Sequence, residues 1–316
     1  MTDADPIIAE VTRDGFRESV HRGRVVGLDA AGAVVVAHGA VTDPVLLRSC
    51  AKPLQAVGML RAGLDLAGAR LAIACASHDG TDARLAIVCA ILTAAGLDEG
   101  ALANAPLLAL EPRAAAVQLL AGGPDRLHHN CSGKHAAMLA TCVTNDWPVE
   151  GYLAVSHPLQ QALLAAVEDL TGETAAHVAT DGCGAPIAAV SLVGLARAFA
   201  RIGAAPGASP EGRVAAVVRA HPAVLGDDAR GVTRLLRAVP GLVAKEGAEG
   251  CFAAALPDGR AVAVKVGDGG DRAALPVVVA ALRALGADTP ALAALAEVAV
   301  LGHGRPVGAI RAVSGE

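Results

Sequence analysis

Aromatic side chains are nearly missing: three Phe, one Trp and one Tyr make up 2% of 316 residues. That leaves no surface on which nucleobases could stack. A basic excess is missing too, since 26 Lys and Arg face 31 Asp and Glu for a formal charge of −5. Neutralising phosphates needs the opposite balance, so no nucleic-acid partner is expected. No apolar run reaches the roughly 18–20 residues that span a bilayer. The longest candidate, Gly182 to Ala196, is interrupted by Gly184 and Pro186. The mean hydropathy of +0.48 comes instead from Ala, Val and Leu spread along the chain, and no membrane partner is expected. MTDADPIIAE carries neither the basic nor the apolar segment of an export signal. The seven cysteines are odd in number, widely spaced and free of any CxxC. Together these absences predict reduced thiols and a cytoplasmic location.

What the chain does have is small aliphatic bulk. Hydrophobic residues are 53% and charged residues 18%, a balance that excludes intrinsic disorder. A chain of this length buries most of its surface without disulfides. Both ends read as strands. Ile7–Val11, Ser19–Leu28 and Ala33–Ala37 carry β-branched residues, with turns at Asp14-Gly15 and Ala30–Gly32. Cys251–Leu256 and Arg260–Val266 flank Pro257-Asp258-Gly259 as a hairpin, and Arg272–Leu285 reads as a helix. The middle reads as helices over Lys52–Ala62, Thr81–Ala95, Gly133–Thr144, Pro158–Leu170, Ala185–Arg201 and Pro210–Ala220. The pattern predicts a mixed α+β fold whose antiparallel sheet is built from N- and C-terminal strands and flanked by helices. One catalytic domain over residues 1–316 is expected, with a sheet region over about 1–50 and 240–316 and a mainly helical region over about 51–239.

Three short motifs could carry chemistry. In Ser49-Cys50-Ala51-Lys52, a helix opening at Ser49 puts Lys52 at i+3, on the same face as the hydroxyl. A serine is a weak nucleophile until a base takes its proton, and a lysine is that base only when its pKa is depressed. Alone, the motif reads as an N-capping serine with a surface lysine, because S-x-x-K occurs by chance in many chains. Ser77-His78-Asp79-Gly80 follows the apolar run Leu71–Ala76, which reads as a strand end or buried segment entering a loop. Lys265-Val266-Gly267 closes the second strand of the hairpin, where a lysine is out of keeping with Ala261–Val264 unless it snorkels or acts. Their order matches the S-x-x-K, S-x-N and K-T-G sites of penicillin-recognising enzymes.

Two further segments are rich in ligating side chains. His128 to His135 holds three histidines, Cys131 and Lys134, and Asp181-Gly182-Cys183-Gly184-Ala185-Pro186 is a glycine-rich turn with an acid and a thiol. A metal could pair Cys131 with Cys183, although the spacing equally fits small buried thiols.

Taken together, the chain resembles the asparaginase II family, or class 3 L-asparaginases. The matching motifs are Arg48-Ser49-Cys50-Ala51-Lys52-Pro53, Ser77-His78-x-Gly80, His129-Asn130-Cys131-Ser132-Gly133-Lys134-His135, Asp181-Gly182-Cys183-Gly184-Ala185-Pro186, Lys245-x-Gly247-Ala248-Glu249-Gly250 and Lys265-Val266-x-Asp268-Gly269. The resemblance implies a fold like that of serine β-lactamases and glutaminases, and hydrolysis of L-asparagine to L-aspartate and ammonia. It implies two serine–lysine pairs, Ser49 with Lys52 and Ser77 with Lys265. It also implies a zinc ion near the substrate on Cys131, Lys134 and Cys183, aiding binding rather than activating water, and a homodimer. Arg48, His135 and Asp181 are expected at the amino-acid end of the substrate, and a backbone N–H near Gly267 beside the oxyanion. A glutaminase or other serine–lysine amidohydrolase, and a non-catalytic zinc-dependent binding protein, are the alternatives.

Overall fold

The computed structural model describes residues 5–313. The N-terminal strands are β1 (Ile7–Arg13), β2 (Phe16–Leu28), β3 (Val34–His38) and β4 (Pro44–Leu46). Two strands lie mid-chain, β5 (His177–Thr180) and β6 (Pro186–Ser191). The rest are β7 (Val243–Gly247), β8 (Cys251–Ala255), β9 (Ala261–Val266), β10 (Glu297–Gly302) and β11 (Arg305–Ala312). The main sheet is antiparallel in the order β10-β11-β1-β2-β9-β8-β7, with β3 also paired to β2. Both chain ends build it, as the β-branched runs require. Every residue of β8 and β9 is buried. Such strands are covered on both faces and so read as continuous apolar runs.

Helices α1 (Ala51–Arg61), α2 (Gly68–Ala74), α3 (Asp82–Ala94), α4 (Pro112–Ala121), α5 (Ser132–Thr144) and α6 (Pro158–Thr171) form the first part of the middle. Then come α7 (Leu192–Ala204), α8 (Pro210–Ala220), α9 (Pro222–Leu225), α10 (Gly231–Ala238), α11 (Asp271–Ala284) and α12 (Pro290–Ala293). Helix α1 is buried from Ala51 to Leu60, so the face that follows Ser49 never meets water. It packs on α6, where a methyl at Gly58 would come within 3.0 Å of Leu163 and Ala166 side chains. Helices α7 and α11 pack against β8 and β9. No helix among the described residues is long and apolar enough to cross a membrane.

Two segments depart from the sequence reading. The helix expected over Ala185–Arg201 splits: Pro186–Ser191 is β6, the centre of a small β4-β6-β5 sheet, and only Leu192 onward is helical. Ile187 and Val190 favour a strand, and the Ser191 hydroxyl caps α7 by accepting from the Gly194 amide at 2.9 Å. The buried run after Leu71 is the end of α2 rather than a strand, and the chain leaves it for the loop that carries Ser77.

Candidate active site

Ser49 sits in the 3₁₀ turn Arg48–Cys50 that leads into α1. Arg48 has φ 47°, a left-handed conformation that costs a non-glycine residue about 1–3 kcal/mol. Burial of Leu47 and Cys50 on either side, and a Leu47 amide bonded to the Ala188 carbonyl at 3.2 Å, hold the turn there. The end of edge strand β7 lies directly against it. A methyl at Gly247 would stand 3.1 Å from the Ser49 amide nitrogen and 3.2 Å from that of Cys50. Ser49, Gly247 and Ala248 line one 570 Å³ cavity with Ser77 and Asn130. Backbone amides of Ser49 and of the residue after Gly247 are therefore the available pair for a developing oxyanion. The Gly267 amide, expected in that role, is instead spent in the sheet on the Arg22 carbonyl at 2.6 Å.

Lys52, the second residue of α1, is buried. Its Nζ donates to the Ala76 carbonyl at 2.5 Å, to Ser77 Oγ at 3.1 Å and to the Asn130 carbonyl at 3.4 Å. No carboxylate is among these acceptors. Burial pushes its amine below the usual lysine range; Cys131 opposes this and Lys134 adds to it. The Lys52 amine thus hydrogen-bonds Ser77, not Ser49, although Ser49 lies three residues before it. His78, next to Ser77, is structural: burial pushes it down to about 3, and its Nε2 bonds Ser132 Oγ at 2.9 Å.

Lys265 stands elsewhere. Gly247, Cys251 and Lys265 lie side by side across β7, β8 and β9. The Lys265 Nζ donates to the carbonyls of Glu249 and Val266 and faces a hollow shared with Arg48 and Glu249. The Lys265 amine, expected to pair with Ser77, is held by these two backbone carbonyls. The lysine that sequence reasoning missed as a site residue is Lys245, wholly buried on β7 two residues before Gly247. Its Nζ donates to the Glu246 carbonyl at 2.5 Å. Burial, then Lys52, brings it down to about 7, while Glu246 opposes. Lys245-Glu246-Gly247 is a second lysine-x-glycine on a strand, and that was the available signal.

On the other side of Lys52 the buried thiols Cys131 and Cys183 meet Lys134, whose Nζ lies 3.2 Å from Cys183 Sγ. The Cys183 hydrogen bond, with help from Lys52 and Lys134, holds Cys131 well below the ordinary thiol range despite burial. Burial alone would lower the Lys134 amine, but Cys183, Cys131 and Asp181 raise it. Among the described residues no three His, Cys, Asp or Glu side chains converge for a metal. The third donor here is a lysine, and two thiolates with one neutral amine suit a tetrahedral zinc with one open position. Asp181 Oδ2 lies 3.7 Å from Cys183 Sγ, and Asp181 Oδ1 accepts from Arg48 Nε at 2.8 Å. Arg48 and Asp181 are thus brought together beside Ser49. His135 is not brought to the cavity. It is fully buried behind Cys183, bonded to the Tyr152 hydroxyl at 2.8 Å, and pushed down to about 4 by burial.

The L-asparaginase II family model matches residues 9–312, nearly the whole chain. The chain belongs to the L-asparaginase II family. Membership makes it an amidohydrolase with a small-molecule substrate. Among curated proteins, none matches the chain.

Proposed function

We propose that the protein hydrolyses L-asparagine to L-aspartate and ammonia through an acyl-enzyme on Ser49. The observation that carries this reading is the shared cavity. Ser49 and Ser77 face it together, Lys52 lies beneath with its amine on the Ser77 hydroxyl and two backbone carbonyls, and the Gly247 backbone abuts the Ser49 amide.

Neutral Lys52 takes the Ser49 proton as Oγ attacks the side-chain amide carbon. The amides of Ser49 and Ala248 hold the oxyanion. Ser77, hydrogen-bonded to Lys52, passes the proton to the departing ammonia. Water then cleaves the β-aspartyl ester with Lys52 again as base. Arg48 and Lys265 supply positive charge for the α-carboxylate, and Asp181 supplies an acceptor for the α-amine. His135 acts only by positioning Cys183. Cys131, Lys134 and Cys183 would hold zinc, which when bound supplies a fixed positive charge for substrate binding. A cytosolic location and a homodimer belong to the same reading, and seven free thiols suit a reducing compartment.

Ammonia release from asparagine and glutamine by wild type and Ser49→Ala, with and without chelator, tests it. Ser49→Ala is expected to lose turnover by at least roughly 10⁴-fold with its circular dichroism unchanged. Undiminished release from that variant refutes the nucleophile. Faster release from glutamine reassigns the substrate.

A further inference from the structure

We infer that the Arg230–Glu246 ion pair is a positioning clamp that sets the reaction cleft between the Ser77 loop and strand β7. The inference rests on the serine acyl-enzyme reading above. The two walls of the cleft come from distant parts of the chain. Ser77 follows α2, and its amide donates to the Leu225 carbonyl at 3.3 Å. Among the described residues β7 is at the end of the sheet with β8 as its one ladder partner, and helix α10 packs against it. Arg230 spans the gap. Its Nη1 donates to the Ser77 carbonyl at 3.0 Å, and its other terminal nitrogen pairs with the Glu246 carboxylate. Glu246 Oε2 also accepts from the Val232 amide at 3.3 Å at the start of α10, and the Arg230 amide is bonded to Asp227 Oδ1 at 3.0 Å.

Both side chains are half-buried and line the cavity. An ion pair at this exposure adds little to stability. Its geometry is the informative part, because a planar guanidinium holds a carbonyl and a carboxylate at once and an ammonium does so poorly. Glu246 lies between Lys245 and Gly247, so a single fork ties the Ser77 loop to the strand that abuts the Ser49 amide. Arg230 and Glu246 are positioning residues here, acting through Ser77 and Gly247.

The test compares Arg230→Met, Arg230→Lys, Glu246→Gln and the Arg230→Met/Glu246→Gln pair. Ammonia release from asparagine is divided by the fraction of protein that a fluorophosphonate labels at Ser49, and thermal unfolding is followed alongside. Arg230→Met is expected to lower kcat on the order of 100-fold with KM little changed, because a displacement of about 1 Å at the reacting groups costs that much. The double variant should be no slower than Arg230→Met, since the pair acts as a unit. Arg230→Lys should recover only part of the rate. A wild-type rate per labelled site in Arg230→Met, or losses that multiply in the double variant, overturns the clamp. Should Arg230→Met not fold, Arg230→Lys and Glu246→Gln decide by the same criterion. Should wild type release no ammonia from asparagine, the substrate reading falls alone. The labelling rates then decide, and equal rates in wild type and Arg230→Lys overturn the clamp.

Discussion

Lys52 and Lys134 are equally buried, at 1% and 2% exposure, yet their amines are shifted in opposite directions. Around Lys52 the acceptors are two carbonyls and a hydroxyl. Around Lys134 they are the sulfurs of Cys183 and Cys131, with Asp181 close by. Burial disfavours an ammonium in both places. At Lys52 burial and the Lys134 charge outweigh Cys131 and Cys183, so its amine falls, whereas at Lys134 the two thiols and the Asp181 carboxylate outweigh burial, so its amine rises. The direction of each shift follows from the charges around the amine, not from depth.

The sharpest break in this contrast is Lys52→Met, expected to lower kcat about 10²–10⁴-fold with zinc content unchanged, read by ammonia release and metal analysis. Next is Gly247→Ala, whose methyl meets the Ser49 and Cys50 amides at 3.1 and 3.2 Å. Displacing one oxyanion donor costs up to about 100–1,000-fold, and kcat per labelled site measures it. Lys134→Met should reverse the Lys52→Met result. Zinc affinity is expected to fall by at least about 10–100-fold in a competition titration, with most of kcat retained at saturating asparagine.

The smallest effect concerns pH. Lys245 ionises near 7 in the folded chain and at 10.5 when exposed. Between those values the unfolded chain binds more protons, so stability rises with pH, by up to about 1.4 kcal/mol per pH unit. Below about 7 the burial penalty is fully present. Urea unfolding of wild type against Lys245→Met at pH 7 and pH 9 should show the variant's advantage shrinking at the higher pH. A constant difference would mean that Lys245 is ordinary.

Much of this was legible beforehand. Ile7–Val11, Ser19–Leu28 and the Pro257-Asp258-Gly259 hairpin lie in the main sheet, because alternation and turn chemistry are local signals. The motifs around Ser49, Ser77, Cys131 and Cys183 do converge around Lys52. Partner choice was not legible. A spacing of three residues says that Lys52 can reach Ser49, but the long side chain bends to a loop 25 positions away. Lys245 was legible as part of the Lys245-x-Gly247-Ala248-Glu249-Gly250 motif but was given no role, because Lys265 offered the same lysine-x-glycine pattern two strands away. The β6 segment hid for a different reason. Pro186 to Ser191 is short and rich in alanine, and only its pairing with β4 and β5 makes it extended.

Ser49 emerges from the ribosome roughly two hundred residues ahead of the β7 backbone that abuts it. The cleft that Ser49 and Gly247 line together is complete only after β7, β8 and β9 have been made and β9 has paired back onto β2. The topology therefore assembles this cleft late in synthesis, and β1, paired with β11 through Ala9 and Ala312, ties the first strand to the last.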